Sequence, residues 1–77
     1  MVKFTNISYD DNYIYADAES FETDKLKAKV KLSLDGITYT TEPEVPRVCA
    51  ITRAMWGLSV DLEERGKLPT EVVYAFG

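Results

Sequence analysis

The stretch KVKLSLDGITYTTE, residues 29–42, decides the architecture of this chain. Apolar and polar residues alternate up to Asp35-Gly36 and alternate again beyond it. That dipeptide is the favoured centre of a two-residue type I′ hairpin turn. A turn there pairs Leu34 with Ile37, Leu32 with Tyr39 and Val30 with Thr41, all on one face of a two-stranded unit. The opposite face carries Lys27, Lys29, Lys31 and Ser33, then Thr38 and Thr40.

The preceding YIYADAES, residues 13–20, alternates in the same way. With FETDK as the connecting loop, Ala18 faces Ala28, Ala16 faces Val30 and Ile14 faces Leu32. On the other side Glu19 faces Lys27, Asp17 faces Lys29 and Tyr15 faces Lys31. A slip of one residue would spoil both faces, so the register is well specified. VKFTNISY, residues 2–9, reads as a further strand that returns through Asp10, Asp11 and Asn12. In that strand Ile7 and Tyr9 are expected on the core face and Phe4 on the outer one.

Near TEPEVP, residues 41–46, the period changes from two to about 3.6. From Pro46 onward, Val48, Ile51, Met55, Leu58 and Leu62 form one apolar helical stripe. Pro46 suits a first helical turn. Gly66, with Pro69 soon after, suits the stop, and Arg65 and Lys67 place positive charge near the C-terminal end. Gly57 in mid-helix points to a close approach of helix and sheet. TEVVYAF, residues 70–76, reads as a short last strand, either parallel to a neighbour after a right-handed crossover or paired with the first strand. The expected fold is a single small α+β domain over residues 1–77 in two layers. A four-stranded antiparallel meander is followed by one α-helix packed on one sheet face and a short C-terminal β-strand.

Composition narrows the function classes. The chain has 77 residues, 45% of them hydrophobic and 29% charged, which is ordinary for a soluble domain. Its net charge of −4 argues against general binding to nucleic-acid backbones or to anionic membranes. No apolar run is long enough to span a bilayer. The start, MVKFTNISYDD, lacks the apolar region of a signal peptide. One cysteine, Cys49, forms no internal disulfide, so a cytoplasmic setting is expected.

Catalytic groups are scarce. There is no histidine, which removes the commonest general base and metal ligand at neutral pH. Cys49 lacks an imidazole partner and reads as a buried, inert thiol. The glycines are not clustered as in a phosphate loop. Asp10, Asp11 and Asn12 lack the spacing of a calcium loop and read as a solvated turn. The chain is accordingly read as a non-enzyme, with no catalytic, cofactor-binding or metal-binding residue and no cofactor.

Two surfaces remain. KLKAKVKLSL, residues 25–34, has a lysine at every second position, and the register sets Lys27, Lys29 and Lys31 beside Tyr13 and Tyr15. Aromatics interleaved with cations are a known platform for single-stranded nucleic acid. Against this, Glu19 and Asp17 face Lys27 and Lys29, which makes the ladder a solvated face with paired charges; lysines on a strand also discourage edge pairing. Trp56 flanks the helical stripe, either as a core-edge residue or, with Arg53 and Val60, as part of a self-association surface. The expected function is a protein–protein interaction module, with a homodimer as one form, through Tyr13, Tyr15, Lys27, Lys29, Lys31 and Trp56. Single-stranded nucleic-acid binding is the alternative. An acidic mimic of nucleic acid, using Asp10, Asp11, Asp17, Glu19, Glu22 and Asp24, is disfavoured by the interleaved lysines.

Overall fold

In the computed structural model, which describes residues 1–21 and 25–75, five strands and one helix form two layers. The strands are β1 (Val2–Tyr9), β2 (Tyr13–Ser20), β3 (Lys27–Ser33), β4 (Tyr39–Glu42) and β5 (Val72–Tyr74), and the helix is α1 (Ala50–Arg65). The sheet is antiparallel throughout, in the order β4-β3-β2-β1-β5. The four-stranded meander, the single covering helix and the short last strand are as the sequence predicts. The last strand takes the second of its two expected positions, antiparallel beside β1. The middle of the FETDK loop, with Glu22 and Asp24, lies outside the described residues, as does Phe76.

The β2–β3 register is the expected one, with Ala18 on Ala28, Ala16 on Val30 and Ile14 on Leu32. Alternation fixes it because both faces of both strands agree. These residues join Val2, Phe4, Ile51, Met55 and Leu58 in the core.

Local expectations are corrected at several points. Phe4 is fully buried rather than on the outer face. A bulge between Thr5 and Ser8 inserts one residue into β1, so Phe4 and Ile7 both point at the helix. Asn6 makes the bulge, with φ 51°, a left-handed conformation that Asn tolerates better than most residues. Tyr9 pairs with Ile14 on the core side but remains exposed beyond the cover of the helix.

The hairpin turn is not type I′. The Gly36 N–H donates to the Ser33 carbonyl (2.9 Å), and Gly36 alone in this turn has a positive φ, 77°. The turn therefore runs one residue earlier and the loop is four residues long, a form commonly built on a type I turn. Leu34 and Ile37 belong to the loop, while Leu32–Tyr39 and Val30–Thr41 pair as expected.

The helix starts at Ala50, not at Pro46. Cys49 is extended (φ −145°, ψ 172°) and is the N-cap. The Thr52 hydroxyl accepts the Cys49 N–H (3.1 Å) and donates to the Arg47 carbonyl (2.8 Å). This clamp fixes the helix origin, and Val48, 85% exposed, falls outside the apolar stripe. At the other end Gly66 adopts φ 73° and donates its N–H to the Leu62 carbonyl (2.7 Å), the expected stop.

The lysine ladder is on an interior strand, because β3 is paired on both sides. Protection of a sheet edge is therefore not its role. The helix packs chiefly on β1, β2 and β3. A helix is about 10 Å across, whereas five strands spaced about 4.8 Å apart span roughly 19 Å. One helix leaves part of its own side of the sheet uncovered.

Candidate functional site: two open faces

The six residues singled out from sequence lie on two surfaces. Tyr13, Tyr15, Lys27, Lys29 and Lys31 share the outer sheet face, away from the helix. Trp56 is on the helix, in the other layer, and does not join them.

The outer face is laid out in cross-strand rows. Lys3, Glu19 and Lys27 form one row; Thr5, Asp17, Lys29 and Glu42 form the next. A third runs Ser8, Tyr15, Lys31 and Thr40. Signs alternate along the charged rows, and four lysines against three carboxylates leave the face close to neutral. Lys27 Nζ is 3.5 Å from Glu19 Oε2, and Asn6 Nδ2 donates to Asp17 Oδ2 at 2.8 Å. The groove over the first two rows has a volume of about 470 Å³, and its neighbour, reaching Tyr15 and Lys31, about 480 Å³. Both are shallow troughs on the sheet surface that share Asp17, Lys29 and Glu42.

The aromatic part of this face is tied up within the chain. Tyr13 and Tyr15 have ring centroids 6.3 Å apart and planes tilted by 56°. Lys31 Nζ lies 4.1 Å from the Tyr13 ring centre, a cation–π contact that covers one ring face. The Tyr15 hydroxyl donates to Asp10 Oδ2 (3.3 Å). Partial desolvation, then the Asp10 carboxylate, raises the Tyr15 phenol above its ordinary value. Asp10 itself accepts the N–H groups of Asn12 and Tyr13, both at 2.8 Å, and these hold its carboxyl below the usual range. This is the solvated turn expected from the sequence. Among the described residues no three His, Cys, Asp or Glu side chains converge as a metal site. Cys49 is buried as a free thiol, with Sγ 3.6 Å from the Thr52 hydroxyl oxygen.

The second open region is on the helix side. A methyl group built on Gly36 would lie 2.6 Å from Ser59 Oγ and 2.9 Å from Trp56 Cδ1, so the β3–β4 turn is seated directly on the helix. Trp56 rests one edge on that turn and leaves 63% of its surface exposed. Ile37, next along the chain, is 76% exposed. Tyr39, opposite core Leu32, is 39% exposed because no helix lies over β4. Beside it, along the edge of β4, a groove of about 680 Å³ is lined by Ile37, Tyr39, Thr41, Glu44, Val45 and Arg47 and reaches round to Thr38 and Thr40. Val45 is held there by its N–H, which donates to Thr41 Oγ1 (3.1 Å).

Sequence reasoning singled out Trp56 but missed this groove. Alternation assigned Tyr39 and Thr41 to the core face correctly, while Ile37 falls in the turn, and the pattern does not reveal how far the helix reaches. The available signal was the uncharged run ITYTT, residues 37–41, directly after the turn. Comparison of the chain with protein-family models, with curated proteins and with solved structures finds no match.

Proposed function

We propose that the chain is a small non-enzymatic protein–protein interaction module that works through the helix-side rim formed by Trp56, Ile37 and Tyr39. The observation that carries this reading is the exposure of Trp56 and Ile37 on either side of Gly36. Large apolar side chains grouped at one rim are costly to leave in water, and Trp and Tyr dominate the energetics of protein interfaces. The lack of histidine supports a non-catalytic role. A reducing, cytoplasmic setting, in which Cys49 stays a thiol, suits the same reading.

Single-stranded nucleic-acid binding through Tyr13, Tyr15, Lys27, Lys29 and Lys31 is the second reading. The Tyr13–Tyr15 pair beside Lys31 favours it. The near-neutral rows weigh against it, because affinity for a phosphate backbone rests on unpaired cations.

The deciding experiment is a pull-down with tagged chain from lysate of the source organism, in nuclease-treated and untreated halves, alongside Trp56→Ala. Protein partners that survive nuclease and are lost with Trp56→Ala are expected. Partners lost with nuclease and indifferent to Trp56→Ala would replace this reading with the second one.

A further inference from the structure

The two edges of the sheet are finished differently. On β5 the helix side is closed, with Tyr74 against Gly57 and against the Phe4 ring, 5.9 Å between centroids. On β4 it is open, and the backbone is open too. Ser33 donates its N–H to the Thr38 carbonyl (2.9 Å), so Thr38 directs its polar groups at β3. Direction alternates along an antiparallel strand. Thr40 and Glu42 therefore also face β3, and Tyr39 and Thr41 turn their N–H and C=O outward. From Ile37 to Thr41 this edge has no charge, no proline and no bulge. Those are the usual devices that keep an edge from pairing.

Resting on the interaction-module reading, we infer that β4 pairs antiparallel with β4 of a second copy about a two-fold axis between the two Thr40 residues. In this register Tyr39 of each copy lies opposite Thr41 of the other, and each such pair exchanges both of its hydrogen bonds. No other register matches both outward-facing residues of β4 with outward-facing residues of the same strand. Glu42 falls opposite Thr38 of the second copy, so no like charges oppose each other.

Symmetry is what selects a second copy over an unrelated strand. Ile37 and Pro43 stand equally far on either side of Thr40. The axis therefore brings the projecting Ile37 of one copy opposite Pro43 of the other, next to Glu44 at the end of the other's groove. A protrusion and a recess on the same chain meet twice, as an isologous interface requires. The groove carries one acid, Glu44, and one base, Arg47, so it is locally neutral although the chain is acidic. A strand pair this short buries little, and stable interfaces remove about 1,200–2,000 Å² from water. Ile37 and Tyr39 of both copies, exposed in the trough between the two helices, supply the additional area.

The test is the oligomeric state of the full chain by light scattering and sedimentation equilibrium, with three variants at exposed positions. The wild-type chain is expected to be a dimer. Thr40→Lys sets two lysines face to face on the axis and is expected to weaken the dimer by about tenfold or more, with an unchanged circular dichroism spectrum showing that the monomer still folds. Thr40→Cys sets two thiols on Cα atoms about 4.5 Å apart, inside the disulfide range of about 4.4–6.8 Å. Oxidised glutathione is expected to cross-link it, while Thr38→Cys, opposite Glu42 of the second copy, stays uncross-linked. A monomer at all concentrations overturns the inference, and so does a dimer that Thr40→Cys fails to cross-link. A monomer that still captures a protein partner sinks β4 pairing alone and leaves the interaction-module reading standing. A cross-linked dimer that retains no other protein supports β4 pairing and restricts the module to self-association.

Discussion

Gly57, in the middle of α1, faces the ring of Tyr74 on β5, and a methyl group built on it would lie 3.2 Å from Tyr74 Cζ. The glycine is there for space, since helix propensity alone would favour alanine by about 1 kcal/mol. Gly57→Ala is expected to lose most of that gain to the crowded ring and to change stability by less than about 0.5 kcal/mol. Gly57→Leu has to displace the ring and is expected to cost about 2 kcal/mol. Urea denaturation of both variants checks this. A full alanine gain would show that helix and strand are not in contact.

The Tyr74 hydroxyl donates to Asp61 Oδ2, tying the last strand to the helix. Burial, then this carboxylate, raises the Tyr74 phenol well above its ordinary 10.0. A group raised on folding contributes stability that is complete below its unfolded value and is lost as pH rises through the folded one. Stability is therefore expected to fall with rising pH above about 10, and less steeply in Tyr74→Phe. At neutral pH that variant leaves Asp61 without its donor and is expected to cost about 1–3 kcal/mol. Denaturant titrations at neutral and alkaline pH measure both. Equal stability of the two proteins throughout would remove the bond from the account.

Asn6 holds a left-handed φ of 51° and bonds Asp17 across the bulge. Asn6→Gly keeps the conformation and loses the bond, with an expected cost below about 1 kcal/mol. Asn6→Val is expected to cost more, about 1–3 kcal/mol, because a β-branched residue resists this conformation. Thermal melts that rank valine at or above glycine would exclude the bulge.

The same residue explains where the sequence stops being readable. Between β2 and β3 two faces of strict alternation constrain one another, so the pairing from Tyr13–Ser33 to Glu19–Lys27 follows from pattern alone. In β1 the alternation is phase-shifted at Asn6, and its trace is the adjacent polar pair Thr5-Asn6 between the two apolar phases, Val2 and Phe4 before it and Ile7 and Tyr9 after it. That is why Phe4 reads as outward and is found in the core. The helix start fails for a related reason: Pro46 is a good local signal, but the Cys49–Thr52 clamp outranks it. At the candidate site the Tyr and Lys positions are legible because they obey the period of two. The groove beside β4 is not, because it exists only through the finite width of a helix laid on a wider sheet.

Lys29 stands between Asp17 and Glu42 in one cross-strand row. Lys29→Glu makes that row three adjacent acids and is expected to destabilise the fold by about 0.5–2 kcal/mol, less at high salt. Under the proposed function the same variant leaves protein capture unchanged. Fluorescence anisotropy with labelled single-stranded DNA at low salt is expected to show no binding by the wild-type chain. Measurable binding that Lys29→Glu weakens would bring the lysine face back as the functional one.

Asp35 is the keystone of the turn that seats Trp56. Its Oδ1 accepts the Ser33 hydroxyl (2.5 Å) and the Ile37 N–H (2.9 Å), while Ser33 Oγ accepts the Thr38 N–H (3.1 Å). The Ser33 hydroxyl first, then the Ile37 N–H, holds the Asp35 carboxyl below its ordinary 3.8, and backbone N–H groups do the same for Asp10. For a carboxyl depressed on folding, the unfolded chain binds more protons, so its contribution is complete above 3.8 and is lost as pH falls through the folded value. Carboxyl-carbon NMR titration is expected to show both groups changing below 3.8. Asp35→Asn, which retains an acceptor oxygen, is expected to keep the turn and flatten the acid limb of stability. If Asp35 instead titrates at or above 3.8, it does not hold the turn, and the seat of Trp56 on Gly36 rests on helix packing alone.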